Sequence, residues 1–442
     1  MTALAMQADW IVPIDSAPIA NGWIVVDTGE IVYVGPELPR RFDGIVRIRI
    51  EHGAILPGWV NAHCHLEFSD LKTPIALPTG GSLVDWLGAV MARRRMNAVD
   101  ALQELLQARR SAIESGVIES WRTGTRWIVD NVTMPWQPDW LQSAVERCSE
   151  NLAPLARDAL VPQGCLRVQP CMEVMDVRLQ RWEETWDACQ KQLDAPKYPA
   201  MPSLGIAPHA PYTASLEVTR AVARECAARN VLWTMHLAES PEEREWLQSR
   251  KGPFAGWIAP HLDENHRRHM GTVHEHLQRW QESHTKGLVV HGNDLRQDEI
   301  DTLRASQGRL AVVYCPRTHR FFRHVEHPLP KLLDRSTPVF LGTDSRASNP
   351  DLSMWEELRC AACCFPGLGE NRLAEMMTIQ PARFLGLDVG NLGEGSRSQL
   401  TWLPIAGVLP NPTNERDEGL FWQSLLRQGS PCPLETHPAF GR

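Results

Sequence analysis

The chain has 442 residues, enough for two or three domains or for one large barrel with an accessory unit. Hydrophobic residues at 43% and charged residues at 22% are ordinary globular usage, which excludes wholesale disorder. A net charge of −8, from 45 basic and 53 acidic residues, argues against nucleic-acid binding and against a polybasic membrane anchor.

In chain order, the first fifteen residues lack a basic segment followed by an apolar core, so no signal peptide is expected. No apolar run approaches the roughly 20 residues that a membrane span needs. Residues 8–51 then read as β-structure: 23–27 and 31–34 alternate around a Thr28-Gly29 turn, and 45–50 is a further strand. From residue 54 the pattern changes. Eight apolar or β-branched runs follow, at 54–62, 126–130, 166–173, 204–208, 231–235, 288–290, 310–314 and 339–342. Between them lie helical stretches at 98–115, 178–193, 215–229, 297–306 and 352–364. The runs are apolar rather than alternating, as parallel strands covered on both faces are. Eight strands alternating with helices predict an α/β fold, a (β/α)₈ barrel, with an open doubly wound sheet as the alternative. Near the end, 398–403 and the glycines at 386, 390, 393 and 395 again read as β-structure, followed by a Pro-rich tail with a short helix at 420–426. The strand-rich ends are expected to pair into one discontinuous β-unit beside the barrel. Eleven cysteines at irregular spacing suit a reducing cytoplasm better than a disulfide framework.

Polar, metal-capable residues sit at the ends of several runs. The first leads to Asn61-Ala62-His63-Cys64-His65, the fourth to His209, the fifth to His236, the sixth to His291 and the eighth to Asp344. A (β/α)₈ barrel builds its active site from the C-terminal strand ends, and scattered surface histidines have no reason to keep that phase. His63 and His65 are two apart, so on a strand both point to the same face. A lone H-x-H is weak evidence for a metal. Joined by His236 and Asp344 it gives three nitrogens and one carboxylate oxygen, a set that suits Zn²⁺ and leaves room for a water; Fe²⁺ and Mn²⁺ are the other choices.

These motifs carry a resemblance. Pro57-Gly58-Trp59-Val60-Asn61-Ala62-His63-Cys64-His65-Leu66-Glu67, Ala207-Pro208-His209-Ala210-Pro211-Tyr212, His236-Leu237-Ala238-Glu239, Val290-His291-Gly292 and Gly342-Thr343-Asp344-Ser345 resemble the amidohydrolase superfamily. Within it they look like the deaminase/chlorohydrolase branch, which includes adenosine-homologue and aminofutalosine deaminases. The resemblance implies a barrel over 55–387 and a composite β-sandwich from 1–54 and 388–442. It also implies that His63, His65, His236 and Asp344 hold one divalent ion, that Glu239 shuttles protons, and that His291, with Asp344, serves the attacking water and the tetrahedral intermediate. Binuclear members usually bridge two ions with a carboxylated lysine at strand four. Here that strand leads to His209, no lysine lies between Lys197 and Lys251, and one ion is expected. His209 then becomes a substrate-binding residue.

Specificity is expected in the loops after the strands. Ser82-Leu83-Val84-Asp85-Trp86-Leu87 resembles a substrate-contacting segment of related deaminases, with Trp86 to stack on a flat heterocycle and Asp85 to hold ribose hydroxyls. Arg317 and His319 are candidates to recognise an anionic or carbonyl group, and Ser345 and Ser348 to bond substrate or order the site. Six histidines between His261 and His284 read as a solvated loop and helix over the barrel mouth, with a second metal site as the alternative. The Cys360-x-x-Cys363 pair has no companion pair and reads as small buried residues of a helix. The expected function is hydrolytic deamination of an aminated heterocycle, a 6-aminopurine nucleoside or a relative of it, by hydroxide generated on the ion. The same machinery serves cyclic-amide hydrolysis, guanine-type deamination or triazine dechlorination, and a catalytically silent nucleoside-binding barrel is the reading outside enzymes. The expected partner is a small-molecule substrate, with a homodimer compatible with aromatics at an exposed edge. One departure stands at the C-terminal strand, where Gly393-Glu394-Gly395-Ser396-Arg397-Ser398-Gln399-Leu400 replaces the usual Gly-x-x-Ala-Asp.

Overall fold

The structure, a computed structural model, describes residues 3–77, 81–96 and 102–441. Eight parallel strands pair in chain order: β6 (Trp59–Cys64), β7 (Thr125–Val132), β8 (Arg167–Val174), β9 (Gly205–Pro208), β10 (Trp233–Leu237), β11 (Gly287–His291), β12 (Leu310–Tyr314) and β13 (Val339–Leu341). The ring closes where Asp344 N donates to His63 O at 3.1 Å, in a parallel bridge between Cys64 and Asp344. This is the (β/α)₈ barrel the apolar runs imply, and it excludes the open doubly wound sheet. Small and branched side chains fill its interior, among them Val60, Ala62, Val129, Ala207, Ala311 and Val313, all fully buried.

A second sheet of seven strands draws β1 (Leu4–Ile11), β2 (Ile19–Ala20), β3 (Trp23–Asp27), β4 (Glu30–Gly35) and β5 (Val46–Pro57) from one end of the chain. It takes β14 (Leu400–Pro404) and β15 (Cys432–Pro433) from the other. Its order is β15-β14-β5-β1-β3-β4, with β2 on β1. The unusual 393–400 segment keeps its place in this sheet: Ser398 N donates to Gly29 O, and β14 runs antiparallel to β5 with Leu400 opposite Pro57.

The first apolar run therefore divides. Residues 54–57 close β5 in one sheet and 59–64 form β6 in the other, because both strands are buried and share the same apolar reading. Gly58 is the joint. A Cβ there would lie 2.0 Å from Arg126 Cγ and 2.7 Å from Gln399 O, so only glycine fits. Arg126 and Glu435 are both fully buried and bond twice at 2.7 Å, and Arg126 also donates to Leu400 O; this ion pair fastens the C-terminal segment to β7.

The helices follow their signals. Helix Leu216–Arg229 begins at Ser215, whose hydroxyl accepts from Val218 N, and ends at the left-handed Asn230. The stretch expected helical over 98–115 appears as helix Leu102–Arg122; positions 98–101 lie outside the described residues. The tail helix starts earlier than expected, at Glu415, where Asn414 caps it. No helix among the described residues is long and apolar enough to cross a membrane. All eleven cysteines are free thiols. Among the described residues the most exposed large apolar side chains are Val46, Met91, Leu155, Val325, Val408 and Leu420.

Candidate active site

The C-terminal ends of the barrel strands bring five imidazoles, His63, His65, His209, His236 and His291, and three carboxyls, Glu173, Glu239 and Asp344, together at one cavity of about 610 Å³. His63 comes from β6 and His65 follows it; His236 comes from β10, His291 from β11, and Asp344 stands just past β13. His65 Nε2 and His236 Nε2 are 3.2 Å apart. Asp344 Oδ1 lies 3.6 Å from His63 Nε2 and 3.8 Å from His65 Nε2. Glu239 Oε1 lies 3.6 Å from His291 Nε2. The site thus brings together His63, His65, His236, Glu239, His291 and Asp344, with His209 beside them.

Local chemistry orients each group. The carbonyl of His209 is 2.8 Å from His236 Nδ1, so that nitrogen carries the proton and Nε2 keeps its lone pair for the cluster. Ser348 Oγ donates to Asp344 Oδ2 at 2.9 Å and leaves Oδ1 facing the imidazoles. Asn61 ties β6 to the end of β13: its Oδ1 accepts from Thr343 N and its Nδ2 donates to Thr343 Oγ1 at 2.8 Å. Asn293 Nδ2 donates to Glu239 O, and His327 Nε2 bonds His291 O at 3.0 Å. These bonds hold an uncommon backbone. Ala238, His291 and Asp344 have φ of 55°, 70° and 55°, left-handed values that only a surrounding network maintains in residues other than glycine.

The electrostatics suit a cation. His63 is fully buried, and among the described residues neither of its ring nitrogens has a hydrogen-bond partner. Such a cost is expected where a ligand atom awaits an ion. Burial, and then neighbouring His236, holds the His63 imidazole well below its ordinary pKa; burial and His209 lower His236. Both therefore stay neutral with lone pairs available. His63, His65 and Asp344 form one group of donor atoms within 4.8 Å of one another, and His63, His236 and His291 form a second. Donors that share one ion at about 2.1 Å stand at such separations. Glu239 is the opposite case: burial, followed by the charges of Asp344 and Glu243, pushes its carboxyl well above the usual range.

Other expected residues divide into two sets. His209 and Trp86 line the cavity. Thr213 Oγ1 lies 2.7 Å from His209 Nδ1 and fixes its ring. Trp86 is 7% exposed, against Phe322, and shares its apolar wall with Phe68, Val90, Met134 and Trp257. The rest stand elsewhere. Asp85 is exposed and accepts from Ser82 N and Oγ, capping the helix Leu83–Met96. Arg317 is held by Asp351 in a two-bond ion pair at 2.6 and 3.0 Å. His319 is buried beside Tyr314 and His327, outside the cavity wall. Ser348 reaches the site only through Asp344, while Ser345 does line the cavity. The His261–His284 stretch is less solvated than expected. His261 lines the cavity, while His266 and His276 are fully buried, bonded to Asp176 and to Met270 O.

One residue escaped the sequence reading. Glu173, at the end of β8, is 3% exposed, lies 3.9 Å from His65, and groups with His209 and His236. The third apolar run ends on it, so the strand-end rule that selected His209 would have found it.

Comparison with known proteins places this geometry. A model of the amidohydrolase family matches residues 54–414. The 5-methylthioadenosine/S-adenosylhomocysteine deaminase of Pyrococcus furiosus is 26% identical over 400 residues, covering 88% of this chain and 84% of that protein. Among solved structures, Helicobacter pylori aminofutalosine deaminase in complex with methylthio-coformycin superposes with a TM-score of 0.75 at 19% identity, covering 97% of both chains. An adenosine deaminase from Xanthomonas campestris with bound zinc gives a TM-score of 0.72 at 21% identity, over 97% of this chain and 89% of that one.

Proposed function

The chain belongs to the amidohydrolase family, and from that premise we propose that it is a metal-dependent hydrolase that deaminates an aminated heterocycle of a nucleoside-like substrate. The observation that carries this reading is the meeting of His236, Glu239, His291 and Asp344 at the base of one apolar-walled cavity. A cavity of about 610 Å³ is ample for a nucleoside. In overall balance, water enters, the carbon–nitrogen bond breaks, ammonia leaves and an oxo group takes its place.

His63, His65, His236 and Asp344 would hold one divalent ion. Zn²⁺ is our choice, on a donor set of imidazole nitrogens with one carboxylate. When bound, such an ion supplies Lewis acidity that brings the pKa of water towards neutrality. Glu239 acts as the proton carrier. Its raised pKa keeps a proton on the carboxyl for a ring nitrogen; the proton that Asp344 takes from water goes to the departing amine, and Glu239 regains its own from the new hydroxyl as the oxo group forms. His291, 3.6 Å from Glu239 and lowered in pKa chiefly by burial, stays neutral and orients the attacking water. Asp344, held on one oxygen by Ser348, takes the water's proton on the other. His209 faces the heterocycle from the β9 end, and Trp86 offers a flat apolar surface to it. We take 59–387 as the catalytic unit and 1–57 with 388–442 as the β-unit that braces it, since β5 runs to Pro57 in the second sheet.

The test is ammonia release from a panel of 5′-substituted adenosines, adenosine, aminofutalosine, guanine, a cyclic amide and a chlorotriazine, on protein of counted metal content. Release from an aminopurine nucleoside, abolished in Asp344→Asn, supports the reading. Turnover of only the cyclic amide or the triazine by fully metallated protein overturns deamination and keeps the hydrolase.

A further inference from the structure

A second cavity, of about 1120 Å³, lies at the other end of the barrel, beneath Trp127, Leu232 and Phe384. Its wall is built from residues that open strands or immediately precede them: Arg167 begins β8, Lys286 precedes β11 and Arg309 precedes β12. Lys197 and Arg229 complete five cations, against a single lining carboxylate, Asp388. In a chain of net charge −8 this is a local arrangement and no reflection of overall composition.

Two of the cations are accounted for by the fold. Arg229 pairs with Glu225 and with Asp194. Lys286 donates to Phe384 O at 2.8 Å, at the C-terminal end of helix Ile379–Leu385, where positive charge is favoured. The others are not so explained. Among the described residues, Lys197 and Arg309 form no ion pair, and Arg309 Nε is buried with no acceptor. The carboxylate nearest Arg167 is Asp388, at 3.8 Å, and Asp388 is already bonded by Arg397. Arg167 Nε and Trp127 Nε1 are likewise buried without an acceptor. Trp127 and Arg167 are direct partners across β7 and β8, so their donors are neighbours by register. Buried donors without acceptors are costly, and here three of them line one cation-rich cavity.

We propose that this floor cavity is a binding site for a small phosphate-bearing anion, with Arg167 and Arg309 as its principal ligands and Lys197 as the outer charge. A planar guanidinium offers its N–H groups to phosphate oxygens as a fork, and a doubly charged phosphate supplies the acceptors that this wall lacks. The ligand is free phosphate or a phosphomonoester, and both present the same group to these residues.

Calorimetry and thermal shift on the metal-loaded full chain test the site with inorganic phosphate and with ribose 5-phosphate, at constant ionic strength against chloride. Ribose 5-phosphate carries no heterocycle, so it reports on the floor rather than on the catalytic cavity. Saturable single-site binding is expected, weakened about tenfold or more in Arg309→Gln and in Arg167→Gln, with turnover unchanged. Tighter ribose 5-phosphate assigns a phosphomonoester; equal or weaker assigns free phosphate. Where an arginine variant does not fold, the exposed Lys197→Gln replaces it, with affinity expected to fall about threefold at low salt. Absence of saturable binding by both probes, or full affinity retained in the folded variants, overturns the proposal.

Discussion

β8 begins with Arg167 and carries Glu173 one residue before its end; β11 is preceded by Lys286 and ends with His291. The two mouths of one barrel are thus made by the same strands with opposite chemistry. At the C-terminal mouth, imidazoles and carboxyls gather in overlapping groups of three whose donor atoms lie within 4.8 Å of one another, and burial keeps His63 and His236 neutral. At the N-terminal mouth, cations face a cavity with one carboxylate. In a parallel sheet every strand points the same way, so a residue's place along its strand decides which chemistry it joins. A charge at one mouth therefore acts separately from a charge at the other, with the packed interior between them.

Substitutions can break that separation or sharpen it. The largest effect is expected from Glu239→Gln, which removes the proton carrier but none of the metal donors. Turnover should fall by about 10²–10⁴-fold while metal content by elemental analysis is unchanged. Full turnover in this variant would remove Glu239 from the mechanism. Next is Glu435→Ala, remote from the imidazoles. It leaves the Arg126 charge buried and alone, so about 3–5 kcal/mol of stability should be lost in urea unfolding. A loss below about 1 kcal/mol would show that the pair does not clamp the two sheets. Trp86→Ala should raise KM about tenfold and spare kcat, because the indole offers surface and no chemistry. A kcat loss of the same size with KM unchanged would contradict that placement.

The smallest effect concerns pH. Burial pushes His276 down to about 4, whereas the unfolded chain takes up the proton near the ordinary 6.5. Its contribution to stability is therefore complete above pH 6.5, is lost as pH falls towards 4, and changes no further below that. Tm should decline by a few degrees over that window, and His276→Gln should flatten the decline. An equal slope in the variant would assign the pH dependence to other groups.

How much of this was legible in the chain depends on what each residue answers to. Seven of the eight barrel strands are legible to within one or two residues, because strands buried on both faces must be apolar throughout. The same uniformity hid the joint at Gly58, where two buried strands of different sheets run together with one glycine as the only mark. The imidazoles were legible because a strand end fixes where a side chain points. Asp85 and Arg317 were misplaced because a charge in a loop answers to partners at hand, Ser82 and Asp351, which position in sequence does not reveal. Glu173 was overlooked as the last letter of an apolar run, although its strand-end position carried the same information as that of His209.

The pairing of β5 with β14 has a consequence for the order of events in the cell. Pro57 meets Leu400, and Gly53 meets Pro404, across a loop that contains the entire barrel. During synthesis the first half of this contact leaves the ribosome long before the second. β5 must therefore wait with one edge open while eight barrel strands form beside it. Contacts of such separation form slowly, and an unpaired edge invites the wrong neighbour. The last strands to be made are thus those that release the first from exposure, and chaperone dependence should be read at that edge.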